Sequence, residues 1–277
     1  MNFMEMLSSA WKENDSLLCV GLDPDPARIP DFLKTRKNPL FAFNKAVIDA
    51  TRSYVCAYKP QAAYYAGSDA DEDLKMTIDY IREAAPSVPV ILDAKRADIG
   101  ATSQMYAKEA FDRYRADAVT VNPYMGMDAV KPFLDRADKG VIVLCRTSNA
   151  GAKEIQELKV EGEMLYLRIA RMIASSWNGN RNVMLVAGAT FPEELGRIRS
   201  VVGGLPLLVP GVGAQGGDVE AVLRNGLTPD GTGLVINSSR GILYASAGED
   251  FAEAAGEAAR SLRDLINTFR RARNGNK

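Results

Sequence analysis

The 277-residue chain contains no histidine. That single absence removes imidazole bases, Ser-His and Cys-His nucleophile pairs and His-ligated metals together. Any acid–base chemistry is left to Lys, Asp, Glu, Tyr or Cys. Cysteine is scarce as well: Cys19, Cys56 and Cys145 are the only 3, far apart and flanked by apolar residues (LLCV, YVCAY, VLCR). An odd count without a CxxC spacing argues against a disulfide framework or a zinc site and points to buried free thiols. No apolar run reaches the ~18 residues of a membrane span. The first fifteen residues (MNFMEMLSSAWKEND) lack the basic and apolar regions of a signal peptide, so the expectation is a soluble, cytoplasmic protein. Excess charge is missing too. With 34 basic and 35 acidic residues and a net charge of −1, no overall field recruits nucleic acid or an acidic membrane.

What is present is a hydrophobic content of 47%, enough for one large core. Short apolar or β-branched runs recur at 17–23, 54–60, 88–94, 116–123, 140–146, 182–188, 205–211 and 233–239. None alternates with polar residues, as expected of strands buried on both faces. Helical patterns lie between them, at 71–85 (Leu74, Ile78 and Ile81 on one face), 102–116 (opened by a Thr-Ser cap), 161–177, 191–202, 218–226 and 249–273 (Leu262, Leu265 and Phe269). Asp71 or Asp73 suits the start of the first of these, and Asp218 that of the fifth, which ends at Asn225-Gly226. Eight strands alternating with helices predict an α/β protein, a (β/α)8 TIM barrel formed as a single domain over 1–277. A doubly wound open sheet is the competitor, but its usual GxGxxG first turn is missing: the first turn reads GLDPDP.

In such a barrel the catalytic residues gather at the C-terminal strand ends. Here those ends carry Asp23, Lys59, Asp93 with Lys95, Asn122, and then Arg146-Thr147-Ser148-Asn149. Side chains alternate along a strand, so Asp93 and Lys95 share a side. Asp98 follows where the chain turns toward the next helix. An interior ion pair that is merely structural gains little after desolvation, so Lys59, Asp93, Lys95 and Asp98 are read as a site. The seventh strand runs into VPGVGAQGGD (209–218), whose glycines let backbone N–H groups approach an anion. Arg240, in NSSRGI, ends the eighth strand. Loops after strands seven and eight often bind phosphate in this architecture, so Gly211, Gly213, Ala214 and Arg240 form the candidate phosphate site.

LDAKRADIGATS, together with YKPQAAYY, TVNPYMG, CRTSNAG, PGVGAQGGD and NSSRGI, resembles the orotidine 5′-phosphate decarboxylase family, in its longer bacterial form (type 2). The DxKxxD element is shared with related sugar-phosphate barrels; the full set, in order from Asp23 to Arg240, is specific. The resemblance implies a homodimer with shared active sites. It implies conversion of orotidine 5′-phosphate to uridine 5′-phosphate and CO2, the last step of pyrimidine (UMP) biosynthesis, with no cofactor and no metal. It also assigns roles: Lys95 as proton donor, Asp93 and Asp98 completing the charged array, and Lys59 linking it to the ribose. Asp23 would bind ribose, Ser148 the pyrimidine, and Gln215 and Arg240 the phosphate. Asp98, Ile99 and Thr102 would reach the partner subunit's site. Ala97 stands where this type often has glycine, and Asn44 and Lys45 receive no role. The rival enzymatic reading is a metal-dependent sugar-phosphate decarboxylase or aldolase on the same barrel. A Schiff-base aldolase fits less well, because flanking carboxylates keep the lysines charged. A silent phosphate-sensing barrel would leave the Asp-Lys-Asp array without a purpose.

Overall fold

The computed structural model describes residues 1–212 and 218–275. All eight expected strands form: β1 (Leu18–Leu22), β2 (Ala57–Pro60), β3 (Ile91–Arg96), β4 (Ala118–Val121), β5 (Gly140–Arg146), β6 (Val183–Ala187), β7 (Leu207–Pro210) and β8 (Leu234–Ser238). They pair in parallel as one 8-stranded sheet in the order β2-β1-β8-β7-β6-β5-β4-β3. Its two ends meet through parallel bridges, Tyr58 to Val90 and Gln61 to Asp93, which close the barrel. Most strand residues are fully buried, as unbroken apolar runs require when helices cover the outside and side chains fill the inside.

The N-terminal helix (Phe3–Glu13) carries an Asn2–Glu5 capping box and covers the bottom of the barrel. Phe3 fills the space beside Gly140, where any Cβ would overlap its ring, so only glycine fits at the start of β5. Helix Asp71–Ala84 buries Leu74, Ile78 and Ile81 as expected. Asp73 does not cap that helix. It accepts from Phe41 N–H (2.7 Å) and Asn38 Nδ2 (3.2 Å), tying down the start of helix Pro39–Thr51. Asn44, on that second helix, donates to Tyr65 Oη (2.8 Å), which in turn donates to the Leu22 carbonyl (3.0 Å) at the end of β1. Its role is to fix the strand end that presents Asp23. Lys45 pairs on the surface with Asp49 and Tyr80.

Several boundaries differ from the sequence reading, each for a local reason. The helix expected at 102–116 runs Gly100–Lys108 and continues as a π turn over Glu109–Arg113. Its cap is not Thr102-Ser103, since Ser103 Oγ donates instead to the Ala129 carbonyl (2.6 Å). The helix expected from 161 begins at Leu165. Before it, Lys159–Val160 and Glu163–Met164 form a small antiparallel hairpin, turned by Glu161 and Gly162 at positive φ (54° and 84°). Gly226 is the last helical residue of Val219–Gly226 rather than the residue beyond it, while Asp218 caps the start by accepting from Glu220 and Ala221 N–H. On the C-terminal helix (Phe251–Gly275) Ile266 is fully buried and Leu265 is 44% exposed, so the apolar face runs through Leu262, Ile266 and Phe269. The three cysteines are buried and free, as expected. Burial pushes the Cys19 and Cys145 thiols up to about 12.

Candidate active site

The C-terminal mouth of the barrel holds a cavity of about 420 Å³ lined by Asp23, Lys59, Asp93, Gly211, Asn237 and Arg240, among others. These residues come from the ends of β1, β2, β3, β7 and β8, so the barrel's closure brings distant segments to one place. At its centre Asp93, buried, accepts on both oxygens. Oδ2 takes Lys59 Nζ (2.9 Å), and Oδ1 takes Lys95 Nζ (2.7 Å) and the Thr120 hydroxyl (2.8 Å).

Burial alone would raise the Asp93 carboxyl. The two ammonium groups outweigh it and hold the acid far below the usual carboxylate range. Burial alone would likewise lower Lys59, but the Asp23 and Asp93 carboxylates keep it above the ordinary lysine value. The outcome is a line of fixed charges, negative at Asp93 with an ammonium on each side. Lys59 is almost wholly buried, while the Lys95 side chain is 46% exposed and free to face a substrate.

Asp23 stands 3.9 Å from Lys59 Nζ, and its buried Oδ1 has no hydrogen-bond partner among the described residues. A buried acceptor left open at a cavity wall suits a hydroxyl-bearing ligand, since such groups are otherwise satisfied. Gly211 takes φ of 95°, a conformation that favours glycine and turns the backbone at the end of β7. Arg240 opens the short helix Arg240–Leu243. It is exposed, and among the described residues its guanidinium has no hydrogen-bond or ion-pair partner.

Not every expected site residue meets the cavity, and Lys95 stands beside it through its pair with Asp93 rather than among the lining residues. Asp98 does not join the Lys59–Asp93–Lys95 array: its carboxylate accepts from the neighbouring Ile99 N–H (2.8 Å) and pairs with no described lysine. Ile99 (56% exposed) and Thr102 point to the surface on the same stretch. Ser148 packs at the end of β6, where a Cβ on Gly188 would stand 3.0 Å from its own, and it does not line the cavity. Gly213, Ala214 and Gln215 lie outside the described residues. Arg146, a strand-end charge, is turned away into a separate buried cluster with Glu157 and Glu194.

The sequence reading missed Thr120, Gln61, Tyr64 and Asn237. Thr120 was hidden inside an apolar strand (AVTV), and Gln61 and Tyr64 inside a motif quoted for its lysine. The predicted strand-end rule could have found Asn237, the first residue of NSSRGI. Among the described residues no group of three or more His, Cys, Asp or Glu side chains is placed to hold a metal ion, and no helix is long and apolar enough to cross a membrane.

Comparison with known proteins agrees along almost the full length. The chain is 58% identical over 270 residues to the orotidine 5′-phosphate decarboxylase of Ralstonia pickettii, covering 98% of this chain and all of that one. It is 57% identical, with the same coverage, to that of an Azoarcus species. Among solved structures, the Leishmania donovani OMP decarboxylase superposes with a TM-score of 0.84 at 39% identity, covering 98% of this chain and 99% of that one. A Toxoplasma gondii structure described as a putative orotidine-monophosphate-decarboxylase gives 0.87, also at 39%, covering 98% of each chain. Residues 16–255 match the family described as orotidine 5′-phosphate decarboxylase / HUMPS, a span that contains every charged strand end from Asp23 to Arg240. The chain therefore belongs to the orotidine 5′-phosphate decarboxylase / HUMPS family.

Proposed function

We propose that this chain decarboxylates orotidine 5′-phosphate to uridine 5′-phosphate and CO2, the closing step of UMP synthesis, using side chains alone. The family carries two names, and the relatives at 54–58% identity over nearly the whole chain all bear the first. The observation that carries the mechanism is the carboxylate of Asp93 held between two ammonium groups beside an open cavity.

Breaking the bond from C6 to the carboxylate releases CO2 and leaves the electron pair on C6, in an orbital that no adjacent carbonyl can delocalise. A fixed positive charge is what the site can offer, and the half-exposed ammonium of Lys95 supplies it and then gives C6 a proton. The lysine regains that proton from solvent. Asp93 and Lys59 hold the charge in place. Asp23, with its open oxygen, takes a ribose hydroxyl; Gly211 and Arg240 take the phosphate, with Gly213, Ala214 and Gln215 completing that loop, and Ser148, outside the cavity lining here, would have to turn inward to contact the pyrimidine. Binding energy from the phosphate, far from the reacting carbon, then serves the chemical step.

The working unit in this reading is a cytoplasmic homodimer of single-domain chains, with Asp98, Ile99 and Thr102 completing the partner's site. Ile99, Met105, Tyr124, Met125 and Met127, on the connections after β3 and β4, are 42–84% exposed. That is a large apolar surface to leave in water, and a second copy would cover it.

The test is loss of orotidine 5′-phosphate absorbance with pure protein in EDTA. Turnover should persist; well-folded protein without turnover, or turnover that EDTA stops, overturns the reading. Mixing inactive Lys95→Ala and Asp98→Ala subunits should restore part of the activity, because each mixed dimer has one intact site. Verified mixed dimers without recovery would place Asp98 in its own subunit's site.

A further inference from the structure

The register between β3 and β4 breaks at the segment that carries the charges. Leu92 pairs with Val119, and the next pair is Arg96 with Val121, so Asp93, Ala94 and Lys95 face the single residue Thr120. On its other side β4 runs unbroken, with Thr120 opposite Ile142. Within the bulge Lys95 adopts φ of 45°, a region that non-glycine residues hold only when their surroundings impose it.

Thr120 is the residue that meets this turn across the seam. Across the β3–β4 seam the N–H groups of Ala94 and Lys95 meet a side-chain oxygen instead of a carbonyl: both donate to Thr120 Oγ1, at 3.0 and 2.9 Å. The same hydroxyl donates to Asp93 Oδ1 at 2.8 Å, and the residue is 1% exposed. A hydroxyl has two acceptor sites and one donor, and here all three are spent on the bulge. The oxygen it contacts on Asp93 is also the one that pairs with Lys95.

We infer that Thr120 is a positioning residue for the reaction: its hydroxyl sets the left-handed turn at Lys95 and the orientation of the Asp93 carboxylate, and so fixes where the Lys95 ammonium stands. This rests on Lys95 being the proton donor. Ligand-holding groups come from other strands, Asp23 from β1 and Arg240 from β8, so a fault in the bulge should reach the chemical step and leave binding alone.

Valine matches threonine in shape and removes the hydroxyl. Thr120→Val should lower kcat by at least about tenfold, while the inhibition constant of uridine 5′-phosphate stays within about threefold. Thr120→Ser, which keeps the hydroxyl, should stay within about threefold in kcat. If Thr120→Val does not fold, Thr120→Cys carries the same test, because a thiol is a poor acceptor and donor; it should fall where serine does not. A kcat for the hydroxyl-free variant within twofold of the unaltered enzyme overturns the inference. So does a loss shared equally by serine, or one confined to product binding. Lys95→Ala is measured alongside: if it retains turnover the reading of the site fails, whereas Thr120→Val alone matching the unaltered enzyme sinks only the role of Thr120.

Discussion

The clusters around Asp93 and around Arg146 stand at the same end of the barrel, each built on a buried charge at the end of a strand. Arg146 is 2% exposed and completely engaged. It reaches Glu194, Glu157 (2.6 Å), the Thr147 carbonyl (3.1 Å) and, more distantly, Gln156 (3.5 Å), with its guanidinium 4.6 Å from the Phe191 ring. Gln156 closes the loop by accepting from Thr147 N–H (2.9 Å) and donating to its hydroxyl (2.8 Å). The Asp93 cluster is as buried at its centre but unfinished at its edge. Asp23 keeps an open buried oxygen on the wall of a cavity of about 420 Å³, and Lys95, paired with Asp93 beside that wall, faces water. Saturation fits a brace, whereas an open buried carboxylate oxygen beside a strongly perturbed ion cluster at a cavity wall fits a site.

The sharpest way to break this contrast is to remove Lys95. Lys95→Ala should reduce turnover by roughly a thousandfold or more, since the charge that stabilises the carbanion and the proton that quenches it go together. Stability should hardly change, because Asp93 keeps Lys59 and Thr120 as partners. A variant that unfolds markedly more easily in urea would make Lys95 a brace as well.

Arg240→Ala is next in size. A charge-assisted contact to a phosphate dianion is lost, so affinity for orotidine 5′-phosphate should fall roughly tenfold to a hundredfold. Orotidine, which has no phosphate, should be affected far less. Equal losses for both would show that Arg240 does not bind phosphate.

Arg146→Met tests the other cluster. It leaves Glu157 and Glu194 facing each other without their cation, but both carboxylates are partly solvated, at 36% and 21% exposure. The expected cost is about 1–3 kcal/mol of unfolding free energy in urea, well below that of a fully buried pair. Turnover per folded molecule should persist. Turnover lost with stability intact would mean that Arg146 serves the chemistry.

The contrast between the clusters also explains which parts were legible from sequence. The eight strands were readable because a strand covered on both faces must be a continuous apolar run. The charges at their ends were readable because barrel geometry sends C-terminal ends to one mouth. Whether a given strand-end charge is braced was not readable. Arg146 is satisfied by Glu157 and Glu194, 11 and 48 residues away in sequence, and only packing brings them together. The bulge opposite Thr120 was equally hidden, since a three-against-one register leaves no trace in residue types. Helix Pro39–Thr51 was missed because its apolar residues, buried against both helix Phe251–Gly275 and helix Asp71–Ala84, blur the periodicity of one face.

The smallest expected effect is a flat line, and it tests whether the central charges are fixed. Asp93 has a folded pKa below its ordinary 3.8, so the stability it contributes is present above 3.8 and is lost as pH falls further. Lys59 has a folded pKa above its ordinary 10.5, so its contribution is complete below 10.5 and is lost as pH rises beyond that. Between these limits neither group exchanges a proton on unfolding. The difference in urea unfolding free energy between the unaltered chain and Asp93→Asn should therefore stay constant to about 0.5 kcal/mol from pH 5 to 9, and narrow only in stronger acid. Lys59→Met should give the same plateau, narrowing only in stronger base. Histidine is absent, and the cysteine thiols, which burial raises above that window in the folded chain, are common to the unaltered chain and both variants. A slope in either difference between pH 5 and 9 would mean that Asp93 or Lys59 changes charge in the working range, and the array could then not supply the fixed charges on which the proposed chemistry relies.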